Sequence, residues 1–275
     1  MTFREAIVFG ENILKEAQIA DAKTDVWLLL SMICKIDHTY YYVHMNDELL
    51  PEQEKEYELV LRKRAEHVPL QYITGEQEFM GLPFRVNPSV LIPRQDTETL
   101  VEEALKVVKS GMKVLDLCTG SGCILISILS KVSNVEGHGV DISKQALIVA
   151  KENAKLNDVA VTFEKSDLFE AVDDTFDVIV SNPPYIPTED IVTLMPEVAH
   201  FEPMQALDGK EDGLYFYRKI IKECKQYLNT NGVILFEIGH NQANDVTQML
   251  QEAGFQEIRV VKDLAGNDRV VIGKV

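Results

Sequence analysis

Two hydrophobic rhythms divide this chain. In the first third, apolar residues recur at helical spacing and strand-like alternation is nearly absent. Thr2-Phe3-Arg4-Glu5 has the form of a capping box, so a helix is predicted from there to about Gln18, with Ile7, Ile13, Leu14 and Ala17 towards a core. A second helix, capped by Thr24 or Asp25, carries Trp27, Leu28, Leu30 and Met32. A short third covers Tyr40, Tyr41 and Tyr42. A fourth opens near Pro51, which suits a first turn because the N–H it lacks would have no partner there, and ends near Glu66. Its early acids, Glu52 and Glu54, and late bases, Arg62, Lys63 and Arg64, match the helix dipole. Its charges read as a solvated face. Residues 1–74 are therefore expected to form a small helical bundle, assigned by elimination to recognition of a partner.

From Gln71 to Arg94 the rhythm breaks. Gly75, Gly81, Pro83, Pro88 and Pro93 punctuate short apolar runs, which predicts a β-hairpin linking two domains over residues 75–93. Leu91-Ile92-Pro93-Arg94-Gln95-Asp96-Thr97-Glu98 then enters a helix reaching about Lys109, with Asp96 or Thr97 as its cap. Arg94 can pair with Glu98 or meet an anionic ligand.

The remaining two thirds alternate between strand and helix patterns, which implies an α/β domain with a mostly parallel sheet. Strands are predicted at residues 113–117, 135–140, 160–164, 176–180 and 232–238, and helices at 124–131, 144–157 and 213–228. Residues 257–262 and 269–274 flank a turn-rich loop, so the sheet is expected to close with an antiparallel hairpin.

Chemistry gathers at the strand ends. The β-branched run Val178-Ile179-Val180 stops at Ser181-Asn182-Pro183-Pro184-Tyr185. Two prolines cannot continue a strand, and each pushes the residue before it into an extended conformation. A stiff tetrapeptide at a strand's carboxyl end lies where ligands bind in open α/β sheets, so it reads as a substrate clamp as well as a strand terminator. Val114-Leu115-Asp116-Leu117-Cys118-Thr119-Gly120-Ser121-Gly122 is a strand, a small-residue loop and a helix start, which can favour a phosphate or a carboxylate. It is neither G-x-G-x-x-G nor a phosphate loop. Asp141 ends the next strand and can accept both ribose hydroxyls of a nucleotide, cap the following helix, or do both. Asp167 ends a third and can accept from an adenine amino group, with Leu168 and Phe169 against the ring, or act as a cap. Glu202 and Glu237 are expected to orient or support other groups; Glu197 is a further polar candidate, and His240 is expected on a surface loop.

Net charge narrows the partners. A formal charge of −17 argues against broad contact with a phosphate backbone and suits a basic protein. Cys34, Cys118, Cys123 and Cys224 have no C-x-x-C spacing, so neither a zinc site nor a disulfide framework is expected, and no metal cluster is visible. The amino terminus has no secretory pattern, and the apolar run 26–33 is too short to span a bilayer, which predicts a cytoplasmic protein away from membranes.

These strand ends resemble those of the class I S-adenosylmethionine-dependent methyltransferases. More narrowly, the chain resembles the release-factor glutamine N5-methyltransferases of the HemK type. The likeness is carried by Tyr72-Ile73-Thr74-Gly75-Glu76, Phe79-Met80-Gly81-Leu82-Pro83-Phe84, the segment 91–98, the Asp116 loop, Asn182-Pro183-Pro184-Tyr185 and Phe201-Glu202-Pro203. It implies a Rossmann-like methyltransferase domain over residues 94–275. It implies that Asp116, Cys118, Thr119, Gly120, Ser121, Gly122, Asp141, Asp167, Leu168 and Asn182 surround S-adenosyl-L-methionine, which becomes S-adenosyl-L-homocysteine. It implies that Asn182, Pro183, Pro184 and Tyr185 hold a glutamine side chain, with Asn182, Pro183 and Tyr185 catalytic. The expected substrate is the glutamine of the Gly-Gly-Gln loop of peptide chain release factors, with no nucleic-acid substrate and a monomeric enzyme. The alternatives are a ribosomal-protein glutamine, an adenine N6 of nucleic acid, and a cofactor-binding module without catalysis. Two positions depart from the family pattern. Cys118 stands where the loop usually has glycine, and Leu168 where many members carry a bulky aromatic.

Overall fold

The capping box forms as the sequence predicts. Thr2 Oγ1 accepts from the Glu5 N–H at 3.2 Å and Glu5 Oε2 accepts from the Thr2 N–H at 2.8 Å. The computed structural model describes all residues, Met1–Val275. They fall into two units, Met1–Gly75 with Met195–Phe201, and Glu76–Leu194 with Glu202–Val275.

The smaller unit contains α1 (Phe3–Glu16), α2 (Ala22–Cys34), α3 (His38–His44), α4 (Pro51–Ala65) and α5 (Leu70–Thr74). Phe3, Ala6, Leu14, Val26, Leu29, Leu30, Tyr57 and Leu61 form its core. Ile7, Ile13 and Ala17 only pack against that core. Gly10 lets α1 and α4 close up, since a Cβ there would lie 2.5 Å from the Tyr57 hydroxyl. That hydroxyl donates to the Ala6 carbonyl at 3.0 Å.

Two expectations for this unit are corrected. Neither Thr24 nor Asp25 caps α2, which begins at Ala22 behind Asp21. Asp25 is instead buried and accepts from Arg64 Nε at 2.7 Å, and Leu28 faces solvent. Arg64 likewise leaves the solvated face predicted for it. Its Nη1 donates to Glu197 Oε1 at 3.1 Å, and His67 Nδ1 lies 3.2 Å from the same oxygen. A buried cation with two carboxylate partners is the arrangement that makes charge burial tolerable.

The larger unit opens with the hairpin β1 (Glu76–Phe79) and β2 (Leu82–Arg85). This hairpin does more than link: Phe79 and Phe84 pack edge to face and lie in the core of the larger unit. The chain continues through α6 (Gln95–Val107), β3 (Lys113–Leu117), α7 (Cys123–Lys131), β4 (Glu136–Asp141), α8 (Lys144–Leu156), β5 (Thr162–Lys165) and β6 (Phe176–Ser181). A 3₁₀ turn (Thr188–Thr193), α9 (Pro196–Phe201, in the smaller unit) and α10 (Met204–Leu207) follow. Then come α11 (Tyr215–Glu223), β7 (Leu228–Glu237), α12 (Ala243–Glu252), β8 (Gln256–Lys262) and β9 (Asp268–Lys274). The helix expected over 213–228 stops earlier, because Leu228 already belongs to β7.

Seven strands form one sheet in the order β5-β4-β3-β6-β7-β9-β8. It is parallel from β5 to β7, and β9 and β8 add the antiparallel hairpin. After β3 the chain builds outward to β5, then returns to place β6 on the other side of β3. That reversal leaves a crevice at the carboxyl ends of β3 and β6, where such sheets bind ligands. Apolar runs fill both faces: Val114, Val178 and Val180 point to one core, and Leu115, Leu117 and Ile179 to the other. This is why the strands read as nearly continuous hydrophobic segments.

Candidate active site

A cavity of about 440 Å³ opens at that crevice. Cys118, Thr119, Gly120 and Ser121 of the loop after β3 line it. Asp141 lines it from the end of β4, Asp167 and Leu168 from beyond β5, and Asn182 and Pro184 from beyond β6. The four strand ends singled out from sequence therefore converge, although not every side chain faces the cavity.

The loop is held from three directions. Asp141 Oδ2 accepts from the Gly120 N–H at 2.9 Å, and its Oδ1 accepts from the Ser143 N–H at 2.8 Å. The cap of α8 is Ser143, whose hydroxyl accepts from Ala146. Burial raises the Asp141 carboxyl, and the backbone N–H groups of Ser143, Gly120 and Ile142 pull it back. Each of its oxygens keeps a lone pair for a ligand hydroxyl. Asn153 of α8, fully buried, donates to the Ser121 carbonyl at 2.9 Å and exchanges hydrogen bonds with the Arg85 backbone.

Asp116 is sealed behind the loop and does not line the cavity. Its Oδ2 accepts from Thr119 Oγ1 at 2.6 Å, while Oδ1 has no partner. Burial pushes its carboxyl up to about 7 against the opposing Thr119 hydroxyl. The glycines differ in purpose. Gly120, at φ +55, would bring a Cβ no nearer than 4.0 Å to any neighbour, the Cys118 carbonyl oxygen, so it is the backbone conformation that favours glycine there. Gly122 instead permits packing, because a Cβ would press Ile126 at 2.9 Å and Phe163 at 3.1 Å. Cys118 is left-handed, at φ +60. A non-glycine residue is disfavoured there by roughly 1–2 kcal/mol, which explains the glycine usual at this position in the resembling family.

Beyond β5, Leu168 faces the cavity at φ +51, but Phe169 does not accompany it. Phe169 is buried and stacks on Tyr227 with centroids 4.4 Å apart. Ile142, exposed directly after Asp141, supplies an apolar wall that sequence reasoning missed. An isoleucine placed directly after the acid that ends a strand was the available signal. Tyr215 and Phe216 at the start of α11 also line the cavity and were not foreseen.

Beyond β6, Pro183 and Tyr185 lie outside the cavity lining. The Tyr185 backbone is pressed by two glycines: a Cβ on Gly209 would lie 2.8 Å from its Cα, and one on Gly213 would lie 2.3 Å from its carbonyl oxygen. That carbonyl accepts from Gln242 Nε2 at 3.0 Å. The Tyr185 hydroxyl donates to Glu237 Oε1 at 3.4 Å. Asn182 Nδ2 donates to Thr97 Oγ1 at 3.5 Å.

Three charged groups resolve differently from the sequence expectation. Arg94 pairs with Glu202, not Glu98, and still lines the cavity. Glu98 accepts from the Met80 N–H at 2.6 Å, and neither Asp96 nor Thr97 caps α6, whose N-cap is Arg94. Glu197 lies with the helical unit, and His240 is exposed as expected.

The larger unit has the methyltransferase fold. A methyltransferase of Pyrococcus furiosus superposes with a TM-score of 0.54 over 70% of this chain and 89% of its own, at 20% identity. A ribosomal protein L11 methylase of Lactobacillus delbrueckii subsp. bulgaricus gives 0.51 over 69% and 83%, at 24% identity. Residues 95–199 match the family model of the methyltransferase small domain, and residues 5–75 that of the PrmC N-terminal domain. At full length the similarity is closer. The release factor glutamine methyltransferase of Geobacter sulfurreducens is 42% identical over 100% of this chain and 97% of its own. That of Clostridium botulinum is 40% identical over 98% of each. The chain belongs to the release factor glutamine methyltransferase family.

Proposed function

We propose that the chain transfers a methyl group from S-adenosylmethionine to the side-chain nitrogen of the glutamine in the Gly-Gly-Gln loop of translation release factors. The observation that carries this reading is the convergence of the Asp116 loop, Asp141, Asp167 and Asn182 on one cavity in a chain of this family. The residues fit such a cofactor. Asp141 would take the ribose hydroxyls, Asp167 the adenine amino group, Leu168 and Ile142 the ring faces, and the Gly120 backbone the amino-acid moiety. When bound, the cofactor supplies an electrophilic methyl group on a sulfonium.

The chain's own residues then have a positioning task. A glutamine amide nitrogen is a weak nucleophile, because its lone pair is shared with the carbonyl. Asn182 Oδ1 and the Pro183 carbonyl each accept one N–H of that amide and aim the nitrogen. As the nitrogen gains the methyl group, with S-adenosylhomocysteine as the leaving group, it becomes positive, and both acceptors bind its protons more strongly until one proton passes to solvent water and leaves a neutral N-methyl amide. Stabilisation that grows with the developing charge is what lowers a barrier. Tyr185 flanks the amide and limits water.

Formal charge of −17 supports a protein rather than a nucleic-acid substrate. With that substrate the enzyme works in the cytoplasm. Residues 1–74 serve recognition of the release factor. Incubation with isotopically labelled S-adenosylmethionine and purified release factor, followed by peptide mass spectrometry, tests the proposal. The expected product carries one methyl group on the Gly-Gly-Gln glutamine, and transfer elsewhere would refute the substrate.

A further inference from the structure

Arg94 and Glu202 meet at the wall of the cavity from distant parts of the chain, and the chemistry above gives neither of them a step. Glu202 lies between α9 and α10, where Pro203 after it disfavours a helical backbone and keeps the two helices apart. Its side chain is 1% exposed. Oε1 accepts from Arg94 Nη2, and Oε2 is buried without a partner. Burial raises this carboxyl, and the Arg94 charge pulls it back. Arg94 is the extended N-cap of α6, and its side chain makes no capping bond. That side chain is 40% exposed and lines the cavity, and Glu202 is its one hydrogen-bond partner. A guanidinium carries five N–H groups, so most of these remain free. A buried carboxylate thus fixes a cation that still has donors to offer.

Sheet order tells which part of a ligand this cation meets. At the ends of β5, β4, β3 and β6 stand Asp167 with Leu168, then Asp141, then the Gly120 loop, then Asn182. With adenine at the first and ribose at the second, a linear cofactor extends its amino-acid end towards the β3 and β6 side. The start of α6 adjoins that side, because Thr97 in its first turn accepts from Asn182 Nδ2 at 3.5 Å. Arg94 immediately precedes that turn. Two lysines also line the cavity, but Lys210 pairs with Asp208 at 2.8 Å and Lys219 lies over the Tyr215 ring, 5.0 Å from its centroid. Neither is held by a buried carboxylate. The carboxylate is the negative group of S-adenosylmethionine, and the planar fork of an arginine matches it.

We propose that Arg94, held in place by Glu202, binds the carboxylate of S-adenosylmethionine. Anchoring that end at Arg94 and the ribose at Asp141 fixes the sulfonium between them, so the pair serves position as well as affinity. The inference rests on the cofactor placement of the proposed function, and not on its release-factor substrate.

The test titrates the full chain calorimetrically with two ligands, S-adenosylhomocysteine and its primary carboxamide, which has nearly the same shape and no negative charge. Wild type is expected to bind the carboxamide about 10–100-fold more weakly, the range for a hydrogen bond to a charged group. Arg94→Gln should bind the two ligands within about threefold of each other, with carboxamide affinity within about threefold of wild type. Retained carboxamide affinity also shows that the site is folded. Arg94→Gln/Glu202→Gln, which leaves no unpaired buried carboxylate, should likewise lose the preference. Wild type that does not distinguish the ligands would overturn the proposal. So would variants that keep the wild-type preference, or that weaken both ligands equally, as a merely structural pair would. An unchanged preference with a raised KM for release factor would move Arg94 to the substrate and overturn it too. Wild type that binds no S-adenosylhomocysteine would overturn the proposed cofactor and this inference together. A wild-type preference abolished by Arg94→Gln, in an enzyme that methylates some other substrate, would uphold this inference and overturn only the proposed function.

Discussion

Asn182 and Asp116 both sit at strand ends, yet they respond to different perturbations. Asn182 reaches the cavity and carries little packing, so Asn182→Ala should fold normally. Removing an acceptor on which charge develops should cost roughly 2.7–4 kcal/mol of barrier, by analogy with an oxyanion-hole donor. Steady-state kinetics should show kcat reduced by about 10²–10³ with S-adenosylhomocysteine affinity unchanged; near-normal turnover would refute the acceptor role. Asp116 acts on stability. Its folded value of about 7 lies above the ordinary 3.8, so the folded chain holds this proton more tightly than the unfolded chain. That contribution is full below the unfolded value and is lost as pH rises through the folded one. Asparagine cannot ionise, so the melting temperature of Asp116→Asn minus that of wild type should increase between about pH 4 and pH 7 and level off above that. A difference that stays flat in scanning calorimetry would contradict this. The acids at the strand ends were legible because each interrupts an apolar run. The inward turn of Phe169 was not, because it depends on Leu168 adopting a left-handed backbone that no sequence pattern announces.

Among the elements, β3 to β7 and the long helices were readable from β-branched runs and helical spacing. The segment from Thr188 to Leu207 was not, since its 3₁₀ turn and two helices of four and six residues are too short for a period to show. Asn153 was equally hidden: on α8 it follows Lys151 and Glu152 in a run that reads as a solvated face, and only the fold brings it to Ser121 and Arg85. The clamp depends on such distant support. Gly209→Ala should force the Tyr185 backbone to move, because the new methyl would meet main chain and not a flexible side chain. Overpacking of this kind typically costs about 1–3 kcal/mol, and here the displacement falls on the clamp. The expected result is a large fall in kcat with cofactor affinity retained, measured by kinetics alongside calorimetric titration. An unchanged kcat would show that Tyr185 need not be held. In the helical unit, Arg64→Ala strands Asp25 in the interior. Breaking a buried pair by removing one partner should destabilise that unit by about 3–5 kcal/mol, read from chemical denaturation.

At the scale of the whole molecule, the assignment of residues 1–74 to recognition has a direct test on exposed side chains. Tyr42 and Val43 of α3 are 68% and 74% exposed and take no part in the helical core. Replacing both with serine should raise KM for intact release factor by about tenfold, if they are anchors, while transfer to a short Gly-Gly-Gln peptide stays unchanged. Equal changes on both substrates would refute a recognition role for this face. The helical unit was foreseen as a continuous stretch, because a sequence read along its length cannot show a later segment returning to it. The unit in fact includes Met195–Phe201, and Arg64 meets Glu197 across 133 positions. This has a consequence for how the protein is made. At translation rates of about 5–20 residues per second, the first 75 residues wait on the order of ten seconds before Glu197 is synthesised. During that interval the nascent bundle has Asp25 but not Glu197 for its interior cation. The amino-terminal unit is therefore first to leave the ribosome yet cannot be first to finish, and its last contact is made by a nascent chain already well into the catalytic sheet.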